Sequence, residues 1–166
     1  MRLDSVQLHA ELLVGSHSMK RLLGAIALVS LTVGISQHAH AVQNRLTINV
    51  QGLKAAQGKV CYSLFSSSAG FPTSPTQAIR AACIPAKASS SAIAFGNLTP
   101  GTYAVAVFHD MNGDGQLNKN TFGIPVEGFG FSQNPGIISG PPKFRDAAIF
   151  VAGSGNAIKI DLKHFL

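Results

Sequence analysis

Apolar and polar residues alternate with a period of two in several short segments of the chain. In residues 45–51, RLTINVQ, the apolar side chains of Leu46, Ile48 and Val50 alternate with polar ones, and residues 156–164, NAIKIDLKH, repeat the pattern. Successive side chains of a strand point to opposite faces of its sheet, so this period is typical of half-buried strands. Both segments therefore predict strands with one buried face and one face in water.

Four further segments have the composition of short strands, and no long amphipathic helix lies between them. They are residues 59–65, 91–97, 102–109 and 147–153. The third is apolar on both faces, which predicts a central position, and Tyr103 near its start resembles the tyrosine corner of Greek-key sandwiches. We therefore predict an all-β fold: an antiparallel Greek-key β-sandwich, immunoglobulin-like or prealbumin-like, with about seven strands.

The N-terminal part predicts export. After Met19 a Lys-Arg pair precedes an apolar stretch over residues 22–35, and a small-x-small cleavage pattern, Ala-His-Ala, ends at residue 41. A membrane-spanning helix needs about 20 apolar residues, which this stretch lacks. We therefore predict a cleaved signal peptide over residues 19–41, with a buried core helix as the alternative, and a periplasmic or secreted protein.

The predicted mature chain is a single domain. Residues 1–18 are an upstream extension without targeting features, and the mature chain would begin near Val42. Its 125 residues suit one β-sandwich domain over residues 42–166, with no membrane span. It carries ten Lys and Arg against five Asp and Glu, a net charge of +5. Because these cations are scattered, no nucleic-acid partner is expected.

The two cysteines, Cys61 and Cys83, both lie in the predicted mature chain. In an oxidising compartment such a pair favours a disulfide, which would stabilise a small domain by about 3 kcal/mol. The alternatives are two free buried thiols or half of a metal site. Between the cysteines, Ser74, Pro75 and Gln77 suit the N-cap, the first position and the capping box of a helix. We therefore predict one short helix there, ending at Cys83.

Regular alternation stops after His109 and resumes near Ala147, which predicts a long ordered loop over residues 109–146. The loop holds four of the ten phenylalanines of the chain. We expect their rings to form a second small core beneath the loop, and the alternative is an exposed aromatic platform for a ligand. The candidate ligand-binding residues are His109, Glu127, Phe129, Phe131 and Asp146, and the partner would be a small ligand, a glycan or a protein.

The run HDMNGDGQLNKN at the start of this loop matches half of a calcium-binding loop. Asp110, Asn112 and Asp114 take the first three ligand positions of that template, and Gly115 supplies its sharp bend. These three residues are therefore the candidate ligands for Ca²⁺, the one cofactor that the sequence suggests.

The second half of the calcium template is not satisfied. Position twelve is Thr121, which cannot supply the bidentate carboxylate of such loops, and position nine is Asn118. A calcium site would need help from Glu127 or Asp146. The alternative is that the Asp and Asn side chains bond to nearby backbone groups in successive turns.

Catalysis has less support than binding. His109 and Asp110 are neighbours on a predicted strand, so their side chains leave opposite faces and cannot form a dyad. We predict a non-catalytic module. The alternative is a periplasmic hydrolase-type enzyme that uses His109 with loop carboxylates such as Glu127.

Two stretches resemble a bacterial exported family catalogued as domain of unknown function 2141. They are PGTYAVAVFHDMNGDGQLNKNTFGIPVEGFGFSQNP and GPPKFRDAAIFV. The family pattern runs from Gly-Thr-Tyr-Ala through His-Asp-x-Asn-x-[DN]-Gly and Gly-Ile-Pro-x-Glu-Gly-[YF]-Gly-Phe-Ser to Gly-Pro-Pro-x-Phe-x-Asp-Ala. The resemblance implies an exported prealbumin-like or immunoglobulin-like sandwich with no established activity. Relatives often have Asp where this chain has Asn118, which argues against an acidic ligand at that position.

Overall fold

The computed structural model of the protein describes residues 43–87, 90–138 and 140–165. These residues belong to one compact unit, His40–Leu166. The predicted signal peptide and the upstream extension lie outside the described residues, so both stay predictions. No helix in the described part of the chain is long and apolar enough to cross a membrane.

The described residues contain eight strands and two short helical segments. The strands are β1 (Asn44–Gln51), β2 (Lys59–Phe65), β3 (Arg80–Pro85), β4 (Ser90–Leu98), β5 (Gly101–Asp110), β6 (Phe129–Phe131), β7 (Ile149–Val151) and β8 (Asn156–Asp161). The helical segments are a 3-10 turn (Pro75–Gln77) and α1 (Phe144–Ala147). The prediction of an all-β fold is confirmed.

The strands form a three-stranded sheet in the order β4-β1-β8 and a five-stranded sheet in the order β3-β2-β5-β6, in which β7 also pairs with β5. Strand β6 pairs with residues 106–108 of β5, and β7 pairs with residues 101–103. The two short strands therefore share one edge of β5, and the predicted central position of β5 is confirmed. Strands β1 and β8 run parallel, so the prediction of an antiparallel sandwich is wrong for that pair. Parallel neighbours need a long crossover, which here is nearly the whole domain.

The two sheets share the main hydrophobic core. Leu46, Ile48 and Val50 of β1 are fully buried, which confirms the period-two pattern of that strand. They belong to one cluster with residues of the other sheet, among them Val105 of β5. Other members of this cluster are Val60, Leu64, Phe95, Val107 and Ile160.

A second, smaller cluster lies on the opposite face of β5. It contains Phe129 and Phe131 of β6, and the partly buried Phe108 and Phe144 pack against it. The predicted second core is therefore confirmed for three of the four loop phenylalanines. The fourth, Phe122, lies outside it and is 86% exposed.

The predicted helix between the cysteines is wrong. Only Pro75–Gln77 form a 3-10 turn, and the side chain of Ser74 caps no backbone amide. The Ile79 amide already donates to the Leu64 carbonyl, and β3 then pairs with β2 as far as Pro85. Sheet pairing with a strand that is distant in sequence therefore overrides the local capping signals. The predicted disulfide Cys61–Cys83 is confirmed, and it joins residues directly opposite each other in β2 and β3.

The predicted loop over residues 109–146 is interrupted by β6 and α1. Every residue of β6 is buried, so no alternation in the sequence marks this strand. The segment of interest is the part between β5 and β6, residues 111–128, which we call the β5–β6 loop.

Candidate functional site

Asp110, the last residue of β5, stabilises the first turn of the β5–β6 loop through hydrogen bonds to its carboxylate. Its carboxylate is fully buried, with Oδ1 accepting a hydrogen bond from the Gly113 amide at 2.7 Å and Oδ2 accepting one from the Gly115 amide at 2.9 Å. Both glycines have positive φ, 81° and 78°, which lets the backbone curl around the carboxylate without a clash at Cβ.

Glu127 closes the same loop from its other end. The side chain is buried, its Oε1 accepts a hydrogen bond from the Met111 amide at 2.9 Å, and its Oε2 accepts one from the Asn118 amide at 2.9 Å. One carboxylate thus joins the beginning and the end of the segment 111–118. Together Asp110 and Glu127 accept hydrogen bonds from four backbone amides, so both carboxylates stabilise the backbone of the loop.

Asp114 lies on the outside of this segment and is exposed. Its Oδ1 accepts the Gln116 amide at 2.8 Å, and its Oδ2 accepts the side-chain amides of Asn112 and Asn118, each at 2.9 Å. The hydrogen bond from Asn118, followed by those from Gln116 and Asn112, lowers the pKa of Asp114 below its ordinary value of 3.8.

The three predicted calcium ligands are therefore neighbours, but their oxygens do not converge. Both oxygens of Asp110 face backbone amides. Asn112 donates from its NH₂ group to the Asp114 carboxylate, and its Oδ1 accepts the Asp114 backbone amide at 3.2 Å. Calcium is bound by six to eight oxygens, so this arrangement would have to reorganise before it could hold the ion. The calcium site stays a prediction.

His109 points into the other side of the sheet. It is fully buried, its Nε2 lies 2.9 Å from the Gln57 carbonyl oxygen, and its Nδ1 has no partner among the described residues. Val60, opposite His109 in the β2–β5 register, belongs to the main core, whereas Asp110 contacts Cys61. The two side chains do leave opposite faces, and His109 is not hydrogen-bonded to Glu127.

The other predicted ligand-binding residues have structural contacts. Phe129 and Phe131 are buried in the second cluster, with ring centroids 5.9 Å apart. Asp146 is exposed, and its carboxylate caps α1 by accepting the Lys143 amide at 3.1 Å. None of these three residues lies in the β5–β6 loop itself.

The outer part of the β5–β6 loop, residues 119–126, is a small hairpin with an apolar surface. Lys119 and Pro125 pair as an isolated bridge, and Asn120 Oδ1 accepts the amides of Phe122 and Ile124, each at 3.0 Å. The exposed fractions are 86% for Phe122, 39% for Ile124 and 43% for Val126. We call these three side chains the apolar tip.

Sequence reasoning missed the apolar tip, because it assigned the loop phenylalanines to a buried cluster as a group. The signal that could have found it is the spacing of Phe122, Ile124 and Val126, alternate residues around a glycine in a segment without a strand partner. A groove of about 400 Å³ lies elsewhere, lined by residues of β7 and β8 such as Ile149 and Ile158, and no residue of the β5–β6 loop lines it.

The fold and the loop define a class of protein: a disulfide-bonded, all-β domain whose longest loop is built around two buried carboxylates. Residues 48–159 match the model of the family described as "Uncharacterized protein conserved in bacteria (DUF2141)", and the chain belongs to this family. No curated protein and no solved structure gives a significant match. The family resemblance inferred from the motifs is thereby confirmed.

Proposed function

We propose that this chain is an exported, non-catalytic module that binds a protein partner through the apolar tip. The observation that carries the proposal is the exposure of Phe122, Ile124 and Val126 on a hairpin that is held in place by internal hydrogen bonds. Burying one such side chain is favourable by about 1.5–3 kcal/mol, so leaving three of them in water on a fixed segment is costly unless a partner covers them.

The hairpin cannot easily bury these side chains by collapsing onto the domain. Val126 donates its amide to the Asn118 carbonyl at 3.0 Å, and Asn120 donates its own to the Ile124 carbonyl at 2.9 Å. Glu127, the next residue, is anchored at both oxygens. A preorganised surface loses little conformational entropy on binding, and this supports a role in recognition.

The shape of the tip favours a protein over a small ligand or a glycan. Small molecules are bound in concave pockets, and the groove beside β7 and β8 is lined by no residue of the β5–β6 loop. A projecting aromatic side chain flanked by aliphatic ones suits the anchor of a protein interface, which inserts into a recess of the partner.

The carboxylates support a non-catalytic role. A general acid or base needs an accessible group with a proton to exchange. Asp110 and Glu127 are buried and each accepts two backbone amides, so they serve as the scaffold of the loop. These bonds support a loop that is held in shape by its own backbone amides.

Export and the finer fold class are part of the same proposal. The disulfide Cys61–Cys83 supports an oxidising compartment, and N-terminal sequencing of the exported chain should begin at Val42. Tyr103 Oη donates to the Thr99 carbonyl at 2.6 Å, the contact of a tyrosine corner, which supports a Greek-key sandwich of immunoglobulin-like or prealbumin-like type.

Site-specific photo-crosslinking tests the proposed binding surface. A photoreactive benzoyl derivative of phenylalanine is placed at position 122 in one variant and at position 150 in another, since Phe150 is also exposed, at 70%, but lies on β7. Irradiation of producing cells should give a discrete heavier protein species from position 122 and none from position 150.

Once the crosslinked protein is identified by mass, Phe122→Ser should weaken its binding at least about tenfold, and Phe150→Ser should leave binding unchanged. The absence of a species from position 122, or equal species from both positions, would contradict the proposal.

A further inference from the structure

We propose that the reduced form of the protein binds a zinc-type divalent metal ion through Cys61, Cys83 and Asp110. Ligand atoms of these three residues lie within 4.8 Å of one another, and they are the one such group of His, Cys, Asp or Glu in the described part of the chain. The site is separate from the apolar tip and does not depend on the function proposed for it.

The sheet brings the three ligands together. Cys61 and Cys83 are directly opposite each other in β2 and β3, and Asp110 ends β5 on the other side of β2. Cys61 Sγ lies 3.8 Å from Asp110 Oδ2. Zinc binds thiolates at about 2.3 Å and carboxylate oxygens at about 2.0–2.2 Å, so a sulfur and an oxygen on one tetrahedral ion are roughly 3.5 Å apart. The distance between Cys61 Sγ and Asp110 Oδ2 therefore needs little adjustment, whereas the two sulfurs, bonded to each other in the disulfide, must move apart after reduction.

The donor set selects the class of metal. Two thiolates are soft ligands that favour zinc over magnesium or calcium, and the carboxylate adds a third negative charge. Three protein ligands leave the fourth position of a tetrahedral ion open. Cys83 is exposed, so the ion and a small fourth ligand would have access from solvent.

Asp110 can bind the metal without releasing the loop. Each carboxylate oxygen has two lone pairs, and Oδ2 uses one for the Gly115 amide. The second can point at an ion beside Cys61. The bonds that Asp110 makes to Gly113 and Gly115 would then orient the ligand, as outer hydrogen bonds commonly do at metal sites.

The disulfide and the metal-bound form exclude each other. A dithiol reductant attacks the exposed sulfur of Cys83, Cys61 leaves as a thiolate, and the second thiol of the reductant releases Cys83. Two electrons and two protons pass to the protein, and the reductant becomes a disulfide. The metal ion then displaces the two thiol protons, which go to solvent.

Cadmium serves as the spectroscopic probe. The purified protein is reduced with a dithiol, freed from it by gel filtration under nitrogen and titrated with Cd²⁺. Reduced wild type should give an ultraviolet thiolate-to-metal band that saturates at one equivalent, and oxidised protein should give none. Cys83→Ser should lose the band, and Asp110→Asn should weaken binding at least tenfold. Asp114→Asn, the same substitution four residues further along the chain, should not change binding.

A second measurement covers the case in which Asp110→Asn fails to fold. The ¹¹³Cd resonance of the reduced wild type should fall in the range of two sulfur ligands with oxygen completing the shell. Absence of the band, a folded Asp110→Asn variant with unchanged affinity, a shift typical of four sulfurs, or two chains per ion would each overturn the proposal. If the reduced protein unfolds without metal, zinc should restore its far-ultraviolet circular dichroism, and failure to do so would also overturn it.

Discussion

The two parts of the β5–β6 loop use their side chains in opposite ways. At the base, residues 111–118 with the flanking Asp110 and Glu127, the charges of these two flanking residues are turned inward onto backbone amides. In the outer hairpin, residues 119–126, the apolar tip is turned outward into solvent. Charged groups usually face water and apolar groups usually face the core. The inversion indicates that the two buried charges hold the backbone of this loop in place and that the exposed surface of its outer hairpin is apolar.

The largest effect expected within the β5–β6 loop is on its base. Glu127→Gln keeps the shape of the side chain but places an NH₂ group against the amide of either Met111 or Asn118, both of which now donate to Glu127. One hydrogen bond is lost, which leaves that amide unsatisfied, and the other now goes to a neutral acceptor, so the free energy of unfolding should fall by about 3 kcal/mol. Urea unfolding measures this free energy. A loss below about 1 kcal/mol would show that the hydrogen bonds of Glu127 are not needed to hold the loop.

A second test addresses the backbone of the base. Gly113 has φ of 81° and open space around its missing Cβ, so Gly113→Ala meets no clash and pays only for the left-handed conformation. We expect a loss of about 1–2 kcal/mol in urea unfolding. Gly136 has equally open space without positive φ, so Gly136→Ala is the matched control and should be neutral or slightly stabilising. Equal effects of the two substitutions would contradict the claim that the positive φ of Gly113 is the source of the loss.

The strands were largely predictable and their pairing was not. Alternation located β1 and β8, because a half-buried strand imposes period two on its own residues, and strand-like composition located β2, β4, β5 and β7. The parallel pairing of β1 with β8 joins Leu46 to Asn156 across the length of the domain, and no local pattern encodes it. Strand β3 was mistaken for a helix for the same reason, since its partner β2 determines its conformation.

The candidate site was predictable in its residues but not in its contacts. Asp110 and Glu127 could be singled out as loop carboxylates, and the choice between metal ligands and turn-forming residues stayed open. The partners of both carboxylates are backbone amides. Because almost every residue has a backbone amide, the sequence gives no signal that identifies which ones are the partners. The tip was missed because Phe122 and Phe131 are equivalent in composition, and only the packing of β6 distinguishes the exposed ring from the buried one.

The third prediction concerns pH and the edge of the base. The folded pKa of Asp114 is lowered by its bonds to Asn118, Gln116 and Asn112, so the ionised carboxylate stabilises the folded state at pH above 3.8. This contribution should be lost as the pH falls through the lowered folded value. Unfolding of wild type and Asp114→Asn should therefore differ most near neutral pH and converge in acid. A difference that is constant with pH would contradict it.

The tip should contribute almost nothing to stability. Phe122→Ala removes a ring that is 86% exposed, so the free energy of unfolding should change by less than about 0.5 kcal/mol. Phe131→Ala is the buried counterpart, 6% exposed, and should cost about 3 kcal/mol or more. A large loss in Phe122→Ala would mean that the tip packs on the domain and is not a free contact surface.

The smallest expected effect is that of added calcium on the thermal transition. This measurement distinguishes a loop that is held by its own backbone amides from one that needs a bound ion. We expect millimolar Ca²⁺ to leave the thermal transition unchanged, because the Asn112 NH₂ group faces the Asp114 carboxylate, so Asn112 would have to reverse its amide before its oxygen could join the oxygens of Asp110 and Asp114 around one ion. Calorimetric titration and thermal melts of wild type and Asp114→Asn measure it. If calcium does bind, Asp110 and Asp114 must be ligands, since they carry the charges of the loop. Heat and a concentration-dependent rise in Tm in wild type, both absent from Asp114→Asn, would show that the base is an ion site and that its present hydrogen bonds are those of the ion-free form.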